Sequence, residues 1–130
     1  MNDRYLYRAK RIDNGEWVEG LLTIMWGQFH IINLNDENTA YPIDPSTICQ
    51  CAGSKDKNGE LIWENDILCG YLDDLYPENA TYEEVLWWRN GFYTREKGSN
   101  DVHELDAFTE QNFKVFGNIF DNPELLEVGE

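Results

Sequence analysis

The sequence predicts a mainly-β protein, a barrel or sandwich of about seven to nine short strands with one or two small helices. Aromatic and β-branched residues fall in short runs, such as Trp17 to Trp26 and Tyr82 to Arg89, of a length suited to strands. Turn-forming pairs, Asn14-Gly15 and Asn90-Gly91 among them, separate those runs. The Trp17 to Trp26 run carries no helix start signal, and the prolines of Tyr41-Pro42-Ile43-Asp44-Pro45 restrict themselves and their predecessors to extended backbone.

In chain order, Arg4 to Ile12 alternates loosely around Tyr5, Tyr7 and Ala9, and reads as a first strand. Asn14-Gly15 turns it into the Trp17 to Trp26 strand. Gly27-Gln28 then turns the chain into Phe29-His30-Ile31-Ile32, which makes a three-stranded meander. Asn33 to Thr39 is a polar loop. Asp44-Pro45-Ser46-Thr47 is a turn in which Asp44 accepts backbone N–H bonds. Thr47 to Cys51, Leu61 to Trp63 and Asp66 to Tyr71 are short strands, with a turn at Asp56-Lys57-Asn58-Gly59.

Residues 72–82 are acidic and loop-like, with a helical turn around Asp73 to Tyr76. Tyr82 to Arg89, Asn90-Gly91 and Phe92 to Glu96 give the clearest hairpin, with Asn-Gly at the centre of the turn. Residues 97–106 read as a mobile polar loop and Ala107 to Asn112 as one helical turn. Phe113 to Phe120 is the last strand. Asn122-Pro123-Glu124 opens a short helix with Asn122 as N-cap.

At 130 residues the chain fits one domain, and its five Trp, seven Tyr and six Phe supply a core that needs neither disulfide nor metal. The net charge is −15 and uneven. Residues 1–34 hold four basic and four acidic side chains, residues 35–70 two and seven, and residues 71–130 four and fourteen. Such a surface repels phosphate backbones and anionic membranes, which argues against direct nucleic-acid or membrane binding. It attracts a protein partner with a basic surface. Three cysteines, Cys49, Cys51 and Cys69, make no disulfide framework and suit reduced thiols. The N-terminus has no secretory h-region and no apolar run reaches membrane-spanning length, so the expected location is the cytoplasm.

Five blocks along the chain resemble the YopX family of small proteins found mostly in phages and prophages. They are Tyr5-Leu6-Tyr7-Arg8-Ala9 with Trp17 and Gly20; Ile43-Asp44-Pro45 with Thr47, Gln50 and Gly53; Lys55 to Gly59; Ile62 with Glu64 to Ile67; and Val115 to Ile119 with Asn122 to Leu126. Asn65 stands where the family usually has Gly, a change that a left-handed turn tolerates. The resemblance implies a bacterial host cell and an SH3-like barrel with added N-terminal β-hairpins and one or two short helices. It implies a single domain over 1–130, with an N-terminal meander over about 1–52 and the barrel over about 53–130. It implies no activity or cofactor. The shared residues are mostly Gly, Pro, Asp and Asn at turns, which specify a fold.

No constellation in the sequence points to catalysis. Cys49, Cys51, Cys69, His30 and His103 lack the twice-paired spacing of a structural zinc site. The acids Asp73, Asp74, Glu78, Glu83 and Glu84 lack a calcium-loop pattern. Ser46, Ser54 and Ser99 read as turn residues, and His30 as a packed strand histidine. The expectation is therefore a binding protein rather than an enzyme, with no cofactor and no metal. Its candidate binding residues are Asp73, Asp74, Glu78 and Glu104 on the acidic face, and Trp88. Trp87 and Trp88 are adjacent in a strand, so one is expected in the core and the other outside it, either at an interface or under a second layer such as an N-terminal hairpin. A homo-oligomeric structural protein assembled through this hairpin, and an acidic inhibitor mimicking nucleic acid, are the alternatives.

Overall fold

The structure, a computed structural model, describes residues 5–33, 35, 39–71, 75, 80–89 and 91–127. Its strands are antiparallel, and the chain divides into two compact units, residues 1–53 and 54–130.

The first unit holds β1 (Tyr7–Lys10), β2 (Trp17–Met25), β3 (Gln28–Asn33), β4 (Ala40–Pro42) and most of β5 (Cys49–Lys55). Its strand order is β4-β3-β2-β1-β5. The expected meander is present as β1-β2-β3, in register from Lys10↔Trp17 to Tyr7↔Gly20 and from Gly20↔Asn33 to Met25↔Gln28. Ala9, Val18, Ile31 and Ile43 form its buried core, with Tyr7, Leu22, Phe29, Tyr41 and Ile48 packed around them. The segment after β1 returns to the segment after β4. Arg11 bridges Ile43, Ile12 N–H donates to the Pro42 carbonyl at 3.1 Å, and Asp44 N–H donates to the Lys10 carbonyl at 2.9 Å. Pro42 therefore sits on the outermost strand, where no ladder bond needs its missing N–H.

The second unit holds β6 (Leu61–Trp63), β7 (Asp66–Gly70), β8 (Thr81–Trp88), β9 (Gly91–Glu96), β10 (Val102–Glu104), α1 (Ala107–Asn112) and β11 (Phe113–Asn118). β5 runs on past Gly53 and meets β6 across a turn closed by Asp56 N–H to the Glu60 carbonyl at 2.8 Å. The other strands follow the open order β10-β9-β8-β7-β11. β7 is buried along its whole length, and Ile67, Leu68, Val85 and Phe113 are core residues around it.

Several local expectations are corrected. Pro45–Thr47 is a 3-10 turn, so β5 starts at Cys49 rather than Thr47; it extends to Lys55 and takes in Ser54, read above as a turn residue. Residues 97–106 contain β10, paired with β9 from Val102↔Arg95 to Glu104↔Tyr93. Asn122 does not cap the final 3-10 turn, Pro123–Leu126. Its Oδ1 instead accepts the Asn118 N–H at 3.3 Å, behind it in the chain. Both hairpin turns begin one residue earlier than expected. Trp26 and Gly27 form the first, with φ of 52° and 76°. Arg89, with φ of 47°, begins the second, and Gly91 already pairs with Trp88. Asn90 and the helical turn expected around Asp73 to Tyr76 lie outside the described residues, Leu75 excepted.

Candidate binding surface

The polar signature residues bind the backbone. Asp56 is buried, and its Oδ1 accepts N–H bonds from Asn58 and Glu60, both at 2.9 Å. Its Oδ2 accepts the Val115 N–H at 2.7 Å. Asp66 is fully buried and accepts the Trp63 N–H at 2.8 Å. Asn118 Oδ1 accepts from Phe120 and Asp121 N–H at 3.0 and 2.9 Å. Asp44 Oδ1 accepts from Ser46 N–H and Oγ at 3.0 and 2.8 Å. The Ser46 bonds hold the Asp44 carboxyl below its ordinary pKa, because hydrogen bonds to the charged form favour it. Carboxylates and amides committed to main-chain N–H groups in this way fix turns and strand ends.

Among the described residues, no group of three or more His, Cys, Asp or Glu side chains is placed to hold a metal ion. Cys49, Cys51 and Cys69 are buried thiols outside any disulfide, and burial pushes the Cys69 thiol above its ordinary pKa. His30 is buried, with Nδ1 3.0 Å from the Gln28 carbonyl. A cleft of about 440 Å³ in the first unit is lined by Arg11, Glu16, Trp17, Glu19, Asn33 and Tyr41 among others. Its cation is already engaged: Arg11 grips Asp13 through two bonds, at 2.9 and 2.6 Å, and lies 4.2 Å from the Tyr41 ring centroid.

The surface that stands out is the β8–β9 hairpin with β10 beside it. Val85 is the last buried residue of β8, and Trp87 and Trp88 lie beyond it, 47% and 38% exposed. The expectation that one would enter the core is therefore overturned. The strand outruns the core before either ring can reach it. Each indole instead packs edge-to-face on a ring of β9, Trp87 on Phe92 at 5.0 Å and Trp88 on Tyr93 at 5.1 Å. The Arg89 guanidinium sits 4.4 Å from the Trp88 ring centroid.

Register joins Trp88 to Glu104. Glu104 lies opposite Tyr93 on β10 and β9, and Tyr93 lies opposite Leu86 on β8. Directly opposed residues share a face, and Trp88 is two residues beyond Leu86, so Trp88, Tyr93 and Glu104 form one row. Arg95, on the same face, is held by Glu84 and so does not neutralise Glu104. On the other face a cleft of about 300 Å³ is lined by Glu83, Thr94, His103, Asp106 and Phe108 among others, and Glu104 also borders it. Asp73, Asp74 and Glu78 lie outside the described residues. The sequence reading missed Trp87 and Tyr93 as surface aromatics; the adjacency of the two Trp near a turn was the available signal.

These features define a small antiparallel β protein that displays an aromatic, acid-flanked hairpin. The chain belongs to the YopX family: the family described as "YopX protein" matches residues 6–127. Among solved structures it is similar to protein EF1440 from Enterococcus faecalis, with 25% identity and a TM-score of 0.59, over 93% of this chain and 96% of that one. None of the curated proteins matches it. No helix among the described residues is long and apolar enough to cross a membrane.

Proposed function

We propose that this protein is a non-catalytic binding module of phage or prophage type, acting in the bacterial cytoplasm on a protein with a basic surface. The contact is the row Trp88, Tyr93 and Glu104, and the acidic residues Asp73, Asp74 and Glu78 of the sequence add to the negative charge that draws the partner. The observation that carries the reading is the exposure of both hairpin tryptophans, with Glu104 in the same row as Trp88 and in no ion pair among the described residues. Trp and Tyr dominate interface energetics because they bury large rigid area at low entropy cost. The excess of acid adds steering toward a cationic partner. The second unit is read as an SH3-like barrel, of which β7 to β11 are the described strands.

Affinity capture from host lysate, comparing the wild type with Trp88→Ala, Glu104→Lys and a charge reversal of Asp73, Asp74 and Glu78, tests the proposal. Loss of the same captured protein in all three variants, together with release by moderate salt, is the expected result. Equal capture by all variants would remove the proposal.

A further inference from the structure

We infer that the cleft lined by Glu83, Thr94, His103, Asp106 and Phe108 is a binding site for a guanidinium group. The cleft lies on the other face of the sheet from the row of Trp88, Tyr93 and Glu104, and the two sites stand or fall separately.

Thr94 carries the inference. Six polar residues are buried among the described residues: His30, Thr47, Asp56, Asp66, Thr94 and Thr109. Five of their side chains reach a partner. His30 meets the Gln28 carbonyl, Thr47 the Asp44 carbonyl, Asp56 and Asp66 main-chain N–H groups, and Thr109 the Asp106 carboxylate. Thr94 is 1% exposed, and its hydroxyl meets no partner among the described residues. Buried polar groups are as a rule hydrogen-bonded, and a hydroxyl left unpaired weakens its own fold. This one is not sealed from solvent, and Thr94 lines the cleft. Register sets it there. Thr94 lies opposite Val85 on β8 and His103 on β10, so the three share one face of the sheet.

Charge selects a cation. Glu83, Glu104 and Asp106 line the cleft, and none of the six Lys and Arg side chains of residues 54–130 does. Glu83 also stands directly opposite Glu96, a like-charge pair that costs stability until a cation lies beside it. Asp106 commits Oδ1 to the Thr109 N–H and hydroxyl, which leaves Oδ2 for a ligand.

Shape selects the kind of cation. A metal ion needs several oxygens around one point. Among the described residues, no group of three or more His, Cys, Asp or Glu side chains is placed that way. A guanidinium presents five N–H donors in a rigid plane, so it reaches acceptors that stand apart. The Thr94 hydroxyl and the carboxylates are such acceptors. Its flat faces pack on aromatic rings, and the cleft supplies Phe108 and Phe113. A volume of about 300 Å³ is at the small end for ligand pockets and suits a guanidinium on a short carbon chain. A free alkylguanidine and an arginine side chain both present that group.

The test is proton NMR of the full chain, which has two histidines, His103 on the cleft and His30 buried in the first unit. Butylguanidinium chloride, titrated against sodium chloride at matched ionic strength, should move the His103 ring signals to saturation and leave those of His30 in place. Butylammonium has the same carbon chain but a compact head, and should bind about tenfold more weakly. Glu83→Gln should weaken binding about tenfold, the loss of one charge-assisted bond. Thr94→Val should weaken it about threefold or more while the urea midpoint holds or rises, because the hydroxyl is unpaired in the free protein. Glu16→Gln removes the same charge from a residue that does not line this cleft, and should bind as the wild type does. A capped Gly-Arg-Gly peptide reads the source. Binding as tight as that of butylguanidinium assigns the site to an arginine of a polypeptide, and weaker binding assigns it to a free guanidine. Absence of a saturating shift at His103, equal binding of butylammonium, Glu83→Gln no weaker than Glu16→Gln, or a lowered urea midpoint in Thr94→Val each overturns the inference.

Discussion

Asp56 Oδ2 accepts the Val115 N–H at 2.7 Å across 59 positions of sequence, while its Oδ1 holds the turn that contains it. One buried carboxylate therefore fixes both the β5–β6 turn and the strand β11 that ends the second sheet. The Lys57 N–H donates to the Phe113 carbonyl at 3.0 Å, a second tie between the same two segments. Asp56→Asn keeps one oxygen but turns an NH₂ toward a backbone donor. It should lower unfolding free energy by about 2–3 kcal/mol, since a charge-assisted bond is lost and a buried donor left unmet. Urea denaturation of the two proteins measures this, and a loss below about 0.5 kcal/mol would contradict the role.

The sequence made the positions of turns legible but not their register. Asn-Gly and Gly-Gln pairs marked both hairpins, yet the left-handed positions start at Trp26 and Arg89, one residue earlier. A shift of one residue exchanges the faces of a strand, so the exposure of Trp26, and of Trp87 together with Trp88, was hidden. Asp44 and Asp56 were legible as turn residues because their chemistry acts within a few positions. The bond from Asp56 to Val115 was not, since nothing local encodes a partner 59 residues away. β10 was missed because three residues leave too little pattern to distinguish a strand from a polar loop.

Asn65 has φ of 71°, and its backbone spans two neighbours: N–H to the Val85 carbonyl at 2.8 Å, and its own carbonyl from Ile119 N–H at 3.0 Å. The turn needs a left-handed residue there, which explains the Gly usual in the family. Asn65→Gly should change stability by less than about 0.5 kcal/mol. Asn65→Ala should cost about 1–2 kcal/mol, because a Cβ without a polar tip gains nothing from that conformation. Thermal unfolding of the pair separates the two outcomes.

Gly20 shows a different demand. A Cβ there would lie 1.9 Å from the Ile32 carbonyl oxygen, on the neighbouring strand. Backbone cannot yield as a side chain does. Gly20→Ala should cost at least about 3 kcal/mol or prevent folding, at the upper end of overpacking effects. Soluble yield and urea midpoint give the answer; wild-type stability in the variant would mean that β2 and β3 are further apart.

The aromatic hairpin should contribute little to stability. Trp88 is exposed and gains an edge-to-face contact with Tyr93. Trp88→Ala should therefore lower stability by only about 0.5–1.5 kcal/mol, the range of such pairs, while abolishing partner capture. Denaturation and capture assays on one preparation test this together. A large loss of stability would mean that the rings serve the fold.

Asp44 contributes to the expected acid response of the first unit. Its folded pKa lies below the ordinary 3.8 because Ser46 donates to the carboxylate from Oγ and N–H. The folded state thus binds the proton less readily than the unfolded state. Its contribution is present above about pH 4, and is lost as pH falls through the lower folded value. Asp44→Asn keeps an acceptor for the Ser46 N–H but does not titrate. The variant should be less stable than the wild type at pH 7, and the gap should narrow as pH falls to 3. Urea midpoints at the two pH values measure the gap; one that widened in acid would reverse the assigned sign.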